Sequence, residues 1–128
     1  VKLIQALAPF EDKLILYRDA PGEVIAPHAF PIVVRDDLDD LKSHREVASR
    51  IAQLAVHLKN NGKETKTLFG SLPTQHRAFA FLGYQGGDFP VAERIGRTGL
   101  HFGCNEFMKE DDVGFIADKV GEWLAKSQ

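Results

Sequence analysis

The chain has 128 residues, 44% of them hydrophobic, and 16 Lys and Arg against 18 Asp and Glu leave a net charge of -2. That length suits one domain with a real core, and the balanced charge excludes the broad basic surface that nucleic-acid binding needs. The single cysteine, Cys104, excludes an internal disulfide framework and any four-cysteine metal or cluster site within the chain.

Residues Val1–Phe10, "VKLIQALAPF", place Leu3, Ile4, Leu7 and Ala8 at helical spacing. They read as the tail of a helix that began upstream, so a fragment of a longer protein, cut inside an element, is expected. Pro9 stops that helix, because its ring disfavours helical geometry before it and offers no N–H. The segment lacks the charged start and long apolar region of a signal peptide, and no apolar run is long enough to span a bilayer. A cytoplasmic location and no membrane partner follow as expectations.

"KLILYR" (Lys13–Arg18) reads as a short strand, and "DAPGEVIAPH" (Asp19–His28) as a loop. "AFPIVVRDD" (Ala29–Asp37) reads as a strand whose apolar run Ile32, Val33, Val34 suggests a central position, buried on both faces. Ser43 and Glu46 have the spacing of a capping box, opening a helix from His44 to about Asn60. Val47, Ile51, Leu54, Ala55 and Leu58 form its apolar stripe, and Asn61-Gly62 ends it. "KETKTLF" (Lys63–Phe69) alternates as a strand does. Strand, helix, strand in this order predicts a two-layer α/β arrangement, an α+β fold with helices on one face of a small sheet.

"QHRAFAFLGY" (Gln75–Tyr84) reads as a short helix closed by Gly83, with its stripe on the sheet. "FPVAERIGR" reads as another, with Asp88 as cap and Pro90 in its first turn. "GLHFG" is a strand ending at Gly103. The last helix covers roughly Glu110–Ala125. Val113, Ile116, Ala117, Val120, Trp123 and Leu124 share one face of it, and Phe115 falls on the other.

No Gly-rich phosphate loop, nucleophile elbow or metal-ligand spacing emerges, and the five histidines are scattered. Cys104 follows a strand end near a helix N-terminus, which would lower a thiol pKa; the plainer reading is a small packed side chain. The segment "LFGSLPTQHRAF" (Leu68–Phe79) is more unusual. It sets Thr74, Gln75 and His76 on a Pro-fixed loop just past a strand end. Two readings stay open: Thr74 caps a helix starting at Gln75, or the polar residues face a ligand. As a cap, Thr74 would be worth about 1 kcal/mol, and Gln75 beyond it would matter little to stability.

The segment "ETKTLFGSLPTQHRAFAFLGYQGGDFPVAERIGRTGLHFGCNEFMKEDDV" resembles the C-terminal region of the DegT/DnrJ/StrS family of pyridoxal-phosphate-dependent sugar aminotransferases and related dehydratases. Family members carry a "GIETR-LF" strand, a loop with a Gln and an aromatic, "GDFP-AE" before a helix, a short strand and an acidic helix start. Upstream, "LAPFEDKLILYRDAPG" and "AFPIVV" look like the family's connection from large to small domain, so residues 1–28 would be that connection. The loop "FGSLPTQH" lacks the histidine-rich form of many aminotransferases and looks closer to the nucleotide-sugar 3-dehydratase branch. Asn105 stands where His or Tyr is frequent. Lys109 stands where a capping Thr is frequent, so the last helix would fray or Asp111 would take over the cap.

The resemblance implies that residues 1–128 are a C-terminal fragment of a longer enzyme, the small domain of a fold type I enzyme serving deoxy-sugar, amino-sugar or cell-surface polysaccharide biosynthesis. It implies pyridoxal 5'-phosphate and the Schiff-base residue on a large domain outside this chain, so no catalytic residue and no cofactor here. It implies a homodimeric parent, a nucleotide-sugar substrate, and a substrate-facing wall of Phe69, Ser71, Thr74, Gln75 and Asn105. The competing classes are a free-standing α/β module for a small molecule and a dimerisation domain.

Overall fold

A computed structural model describes residues 2–24, 28–35, 44–68 and 72–126, with backbone only for 44–49. Four strands form one antiparallel sheet in the order β1-β2-β4-β3. Strand β1 (Leu14–Leu16) pairs with β2 (Ala29–Val34), setting Leu14 opposite Val34 and Leu16 opposite Ile32. β3 (Thr65–Thr67) and β4 (Gly99–Gly103) complete the sheet; β4 sets Leu100 opposite Ile32 and Phe102 opposite Phe30 and Thr65. Directly opposed residues share a face and strand side chains alternate. Leu14, Leu16, Phe30, Ile32, Val34, Leu100 and Phe102 therefore all point to one side, where every one of them is buried.

Helices cover that side. α4 (Glu110–Lys126) buries Val113, Ile116, Ala117, Val120, Trp123 and Leu124 and leaves Phe115 exposed, as the spacing predicts. α2 (His44–Asn60) adds Ile51, Leu54 and Leu58. α1 (Lys2–Leu7) adds Leu3 and Leu7, so the start of the described chain belongs to the same core. α4 touches both α1 and α2, and α3 (Pro90–Thr98) packs on α2. The expected stop of α2 is present as a left-handed cap. Gly62 has φ +80°, the Lys63 N–H donates to the Leu58 carbonyl at 2.9 Å, and the Gly62 N–H donates to Lys59 at 3.0 Å.

One expectation is narrowed and two change. The sheet is antiparallel, so the fold is the α+β one expected and not α/β. β2 and β3 are parallel to each other, but β4 is inserted antiparallel between them, making β2–α2–β3 a split crossover. β2 is interior, yet its residues alternate between buried and half-buried. Val33 shares the outer face with Ile15, which is 38% exposed, so the apolar run reflects partial shielding there and not two-sided burial. The third apolar stripe does not exist. Residues Pro73–Gln75 and Arg77–Leu82 form 3-10 turns with no buried residue. A helix this short gains too little from its few hydrogen bonds without a packed face. The proposed cap Ser43 and the strand end beyond residue 35 lie outside the described residues, as does the Val47 side chain.

The α3–β4 junction is tight. A Cβ on Gly99 would lie 2.6 Å from the Ile95 carbonyl oxygen and 2.4 Å from Leu68 Cδ1. The backbone there is extended, with φ -107°, so the constraint is space and not glycine's conformational freedom. Gly99→Ala is expected to destabilise by about 1–3 kcal/mol through overpacking. Ile116→Ala is expected to cost about 2–5 kcal/mol, and Phe115→Ala one turn-face away under about 1 kcal/mol. Chemical denaturation of the three variants checks both statements; equal losses at Ile116 and Phe115 would mean that the buried face of α4 is misassigned.

Candidate functional site

The Pro-fixed loop is held by hydrogen bonds and not by a core. Leu72 occupies the N-cap position of the Pro73–Gln75 turn, and no side chain caps it. The capping role expected of Thr74 is therefore absent. The second turn breaks at Phe79 (φ -110°, ψ 15°) and ends at Gly83, whose φ of +79° turns the chain away. Phe69 and Ser71 lie outside the described residues.

The Gln75 side chain is tied into the fold, contrary to the expectation that it matters little to stability. Its Nε2 donates to the Gln85 carbonyl at 3.0 Å and to Glu93 Oε1 at 2.6 Å. The same Glu93 oxygen accepts from the Gly87 N–H at 2.8 Å and the Phe89 N–H at 3.4 Å. Both amides precede the first helical residue of α3, Pro90, where N–H groups lack intrahelical partners. Asp88, the expected cap, instead accepts from the Gln85 N–H at 2.7 Å and closes the turn before the helix. Phe89 is the N-cap, without a side-chain bond. The Gly87 N–H, foremost, and the Gln75 amide hold the Glu93 carboxyl below the usual glutamate range. Partial burial opposes them, and the Phe89 N–H and Arg97, 3.6 Å away, add to them.

Asn105 belongs to a different place. Its Oδ1 accepts from the Phe107 N–H at 3.0 Å, and its carbonyl accepts from Met108 at 3.2 Å. It thereby builds the turn from β4 into α4. It lines a cleft of about 350 Å³ together with Lys63, Phe107, Met108, Asp112 and Phe115. Lys63 Nζ donates to the Gly103 carbonyl at 3.1 Å and lies 5.4 Å from the centre of the Phe102 ring. Asp112, not Asp111, completes the α4 start: its Oδ2 accepts from the Lys109 N–H at 2.8 Å, so Lys109 needs no side-chain cap of its own. The register sets Phe102 opposite Thr65 and Leu100 opposite Thr67, so Asn105 follows the end of β4 that lies beside the start of β3, whereas Thr74 and Gln75 follow the end of β3.

Cys104 is half-buried against the core, and burial pushes its thiol up, against the pull of the Lys63 charge. The reading as a reactive, low-pKa thiol is not supported; the packed side chain is. Among the described residues no group of three or more His, Cys, Asp or Glu is placed to hold a metal, and no helix is long and apolar enough to cross a membrane.

Sequence reasoning passed over Glu93 and Lys63. Glu93 stands in the quoted "GDFPVAE" stretch, three residues after Pro90, where an acid can reach back over unpaired amides. Lys63 directly follows the Asn61-Gly62 stop, and nothing in its neighbourhood along the chain indicates a cleft. No model of a known protein family matches this chain, and no curated protein matches it significantly. The family resemblance therefore rests on motif order alone.

The two loop residues are expected to respond in reverse of the capping reading. Thr74→Ala should leave stability within about 0.5 kcal/mol of the parent, whereas Gln75→Ala should lower the melting temperature measurably, since two acceptors lose a donor. Differential scanning calorimetry of both variants decides; a larger loss at Thr74 would restore it as the cap.

Proposed function

We propose that this chain is the C-terminal small domain of a pyridoxal-phosphate-dependent aminotransferase of the DegT/DnrJ/StrS type, acting on nucleotide-linked keto-sugars. The observation that carries the reading is the order and spacing of "ETKTLF", "LPTQH", "GDFPVAE", "GLHFG" and the acidic helix start within residues 64–113. These motifs fall in turn on β3, the Pro-fixed loop, the start of α3, β4 and the start of α4. A second reading, a nucleotide-sugar 3-dehydratase of the same family, is favoured by the loop sequence "FGSLPTQH".

The described residues do not fit the cofactor itself. Helix N-termini are the ready-made places for a phosphate. At α3 the Gly87 and Phe89 amides are already taken by the Glu93 carboxylate. At α4 the first turn carries Glu110, Asp111 and Asp112, which repel an anion. Lys63 is engaged with the Gly103 carbonyl. In this reading the cofactor and the Schiff-base residue sit on a large domain outside these residues. The share of this chain is positioning: a polar loop borne by a second domain can orient a substrate without moving a proton. Because Gln75 Nε2 is committed to Gln85 and Glu93, Gln75 would act through the shape it imposes on the loop as much as through its own contact.

The test is the product of the complete reading frame that contains this chain, purified and assayed with a nucleotide-linked 3- or 4-keto-sugar and an amino donor such as glutamate. A protein-bound cofactor band and an amino-sugar product are expected. A deoxy product without nitrogen gain would select the dehydratase. A reading frame that starts just before Val1, with neither band nor product, would overturn both in favour of a free-standing binding or dimerisation module.

A further inference from the structure

The segment from Leu72 to Phe89 leaves the core and returns to it. None of Arg77–Leu82 is buried, and Phe81 is 80% exposed. Its rings pack mainly on one another, Phe79 with Phe81 at 6.3 Å and Tyr84 with Phe89 at 4.9 Å between centroids. A segment with so little apolar burial belongs to the low-stability end of a fold unless polar contacts fix it. Beside the Gln75–Gln85 and Gln85–Asp88 hydrogen bonds, three of those contacts converge on one atom. Glu93 Oε1 gathers the Gln75 side chain from the start of the excursion and the Gly87 and Phe89 amides from its end.

We infer that Glu93 is a positioning residue: its carboxylate latches the two ends of the excursion together, sets the presentation of Gln75 and of the exposed rings of Phe79, Phe81 and Tyr84, and releases them in acid. The inference does not depend on the function proposed above. The donors at Oε1 all favour a charged acceptor, and charge-assisted hydrogen bonds are about twice as strong as neutral ones. Among the described residues Arg97 is the charged group that acts on the carboxylate, and neither residues 50–60 of α2 nor the turn at Asp88 adds another. Asp88 is turned toward the Gln85 N–H. With the carboxyl held below the usual glutamate range, the latch contributes fully above that range. Its contribution is lost as pH falls through the lowered value.

Two-dimensional amide NMR tests this directly. In the parent chain the backbone amides of Gly87 and Phe89 and the side-chain amide of Gln75 are expected to titrate together, with a common midpoint below that of an ordinary glutamate. Glu93→Gln should abolish that common titration while keeping most of the hydrogen-exchange protection of residues 85–89, because its carbonyl can still accept. Glu93→Ala should raise amide exchange in that segment several-fold at neutral pH and leave β2 and β4 protected. If Glu93→Ala fails to fold, the titrations of the parent and of Glu93→Gln still decide. Independent midpoints for Gly87 and Phe89, a titration that persists in Glu93→Gln, or unchanged exchange in Glu93→Ala would each overturn the inference.

Discussion

One sheet face must be covered, and the rest of the molecule is arranged around that requirement. Alternation along β1, β2 and β4 sends Leu14, Leu16, Phe30, Ile32, Val34, Leu100 and Phe102 to the same side. Removing each large side chain from water contributes roughly 1.5–3 kcal/mol, far more than any surface ion pair. α4 is the element best able to cover this face, since six of its residues lie buried on one stripe. α1 and α2 flank it. The ion pair of Lys2 with Glu110 decorates the α1–α4 contact at an exposed site and adds little to it.

The connection from β3 to β4 is longer than its topology requires. β3 and β4 are antiparallel neighbours that a short hairpin could join, yet the chain inserts residues 68–98 between them. That excursion is where the polar loop and the exposed rings sit. Residues Arg77–Leu82 within it bury no side chain. Hydrogen bonds at Glu93, Gln85 and Asp88 tie its ends together, so polar substitutions there bear on the shape of the candidate site.

The two described helix starts with resolved side chains show how local electrostatics limits chemistry. At α3 and α4 the unpaired amides meet carboxylates from within the chain, Glu93 and Asp112. Such self-capping stabilises the helices and simultaneously removes the anion-binding capacity that helix N-termini otherwise offer. At these two helix starts a phosphate-bearing group would meet a carboxylate in place of free amides.

The amphipathic stripes of α2 and α4, the Asn61-Gly62 stop and the short strands were legible in the sequence. Each is dictated by a local period or by a backbone preference that a few neighbouring residues settle. The polar loop was legible as unusual, but its inner logic was not. Thr74 looked like a cap and caps nothing; Gln75 looked dispensable and bridges Gln85 to Glu93, residues ten and eighteen positions away. The separation of Asn105 from that loop was equally invisible, because it depends on how β4 and α4 fold back against the end of α2. The sequence by itself determined which residues are apolar on which face, and with them the α+β layers. Only the tertiary structure decided strand order, the one-sided burial of β2 and the partners of Glu93, because a sheet's neighbours and a carboxylate's donors come from segments whose distance along the chain carries no local signal.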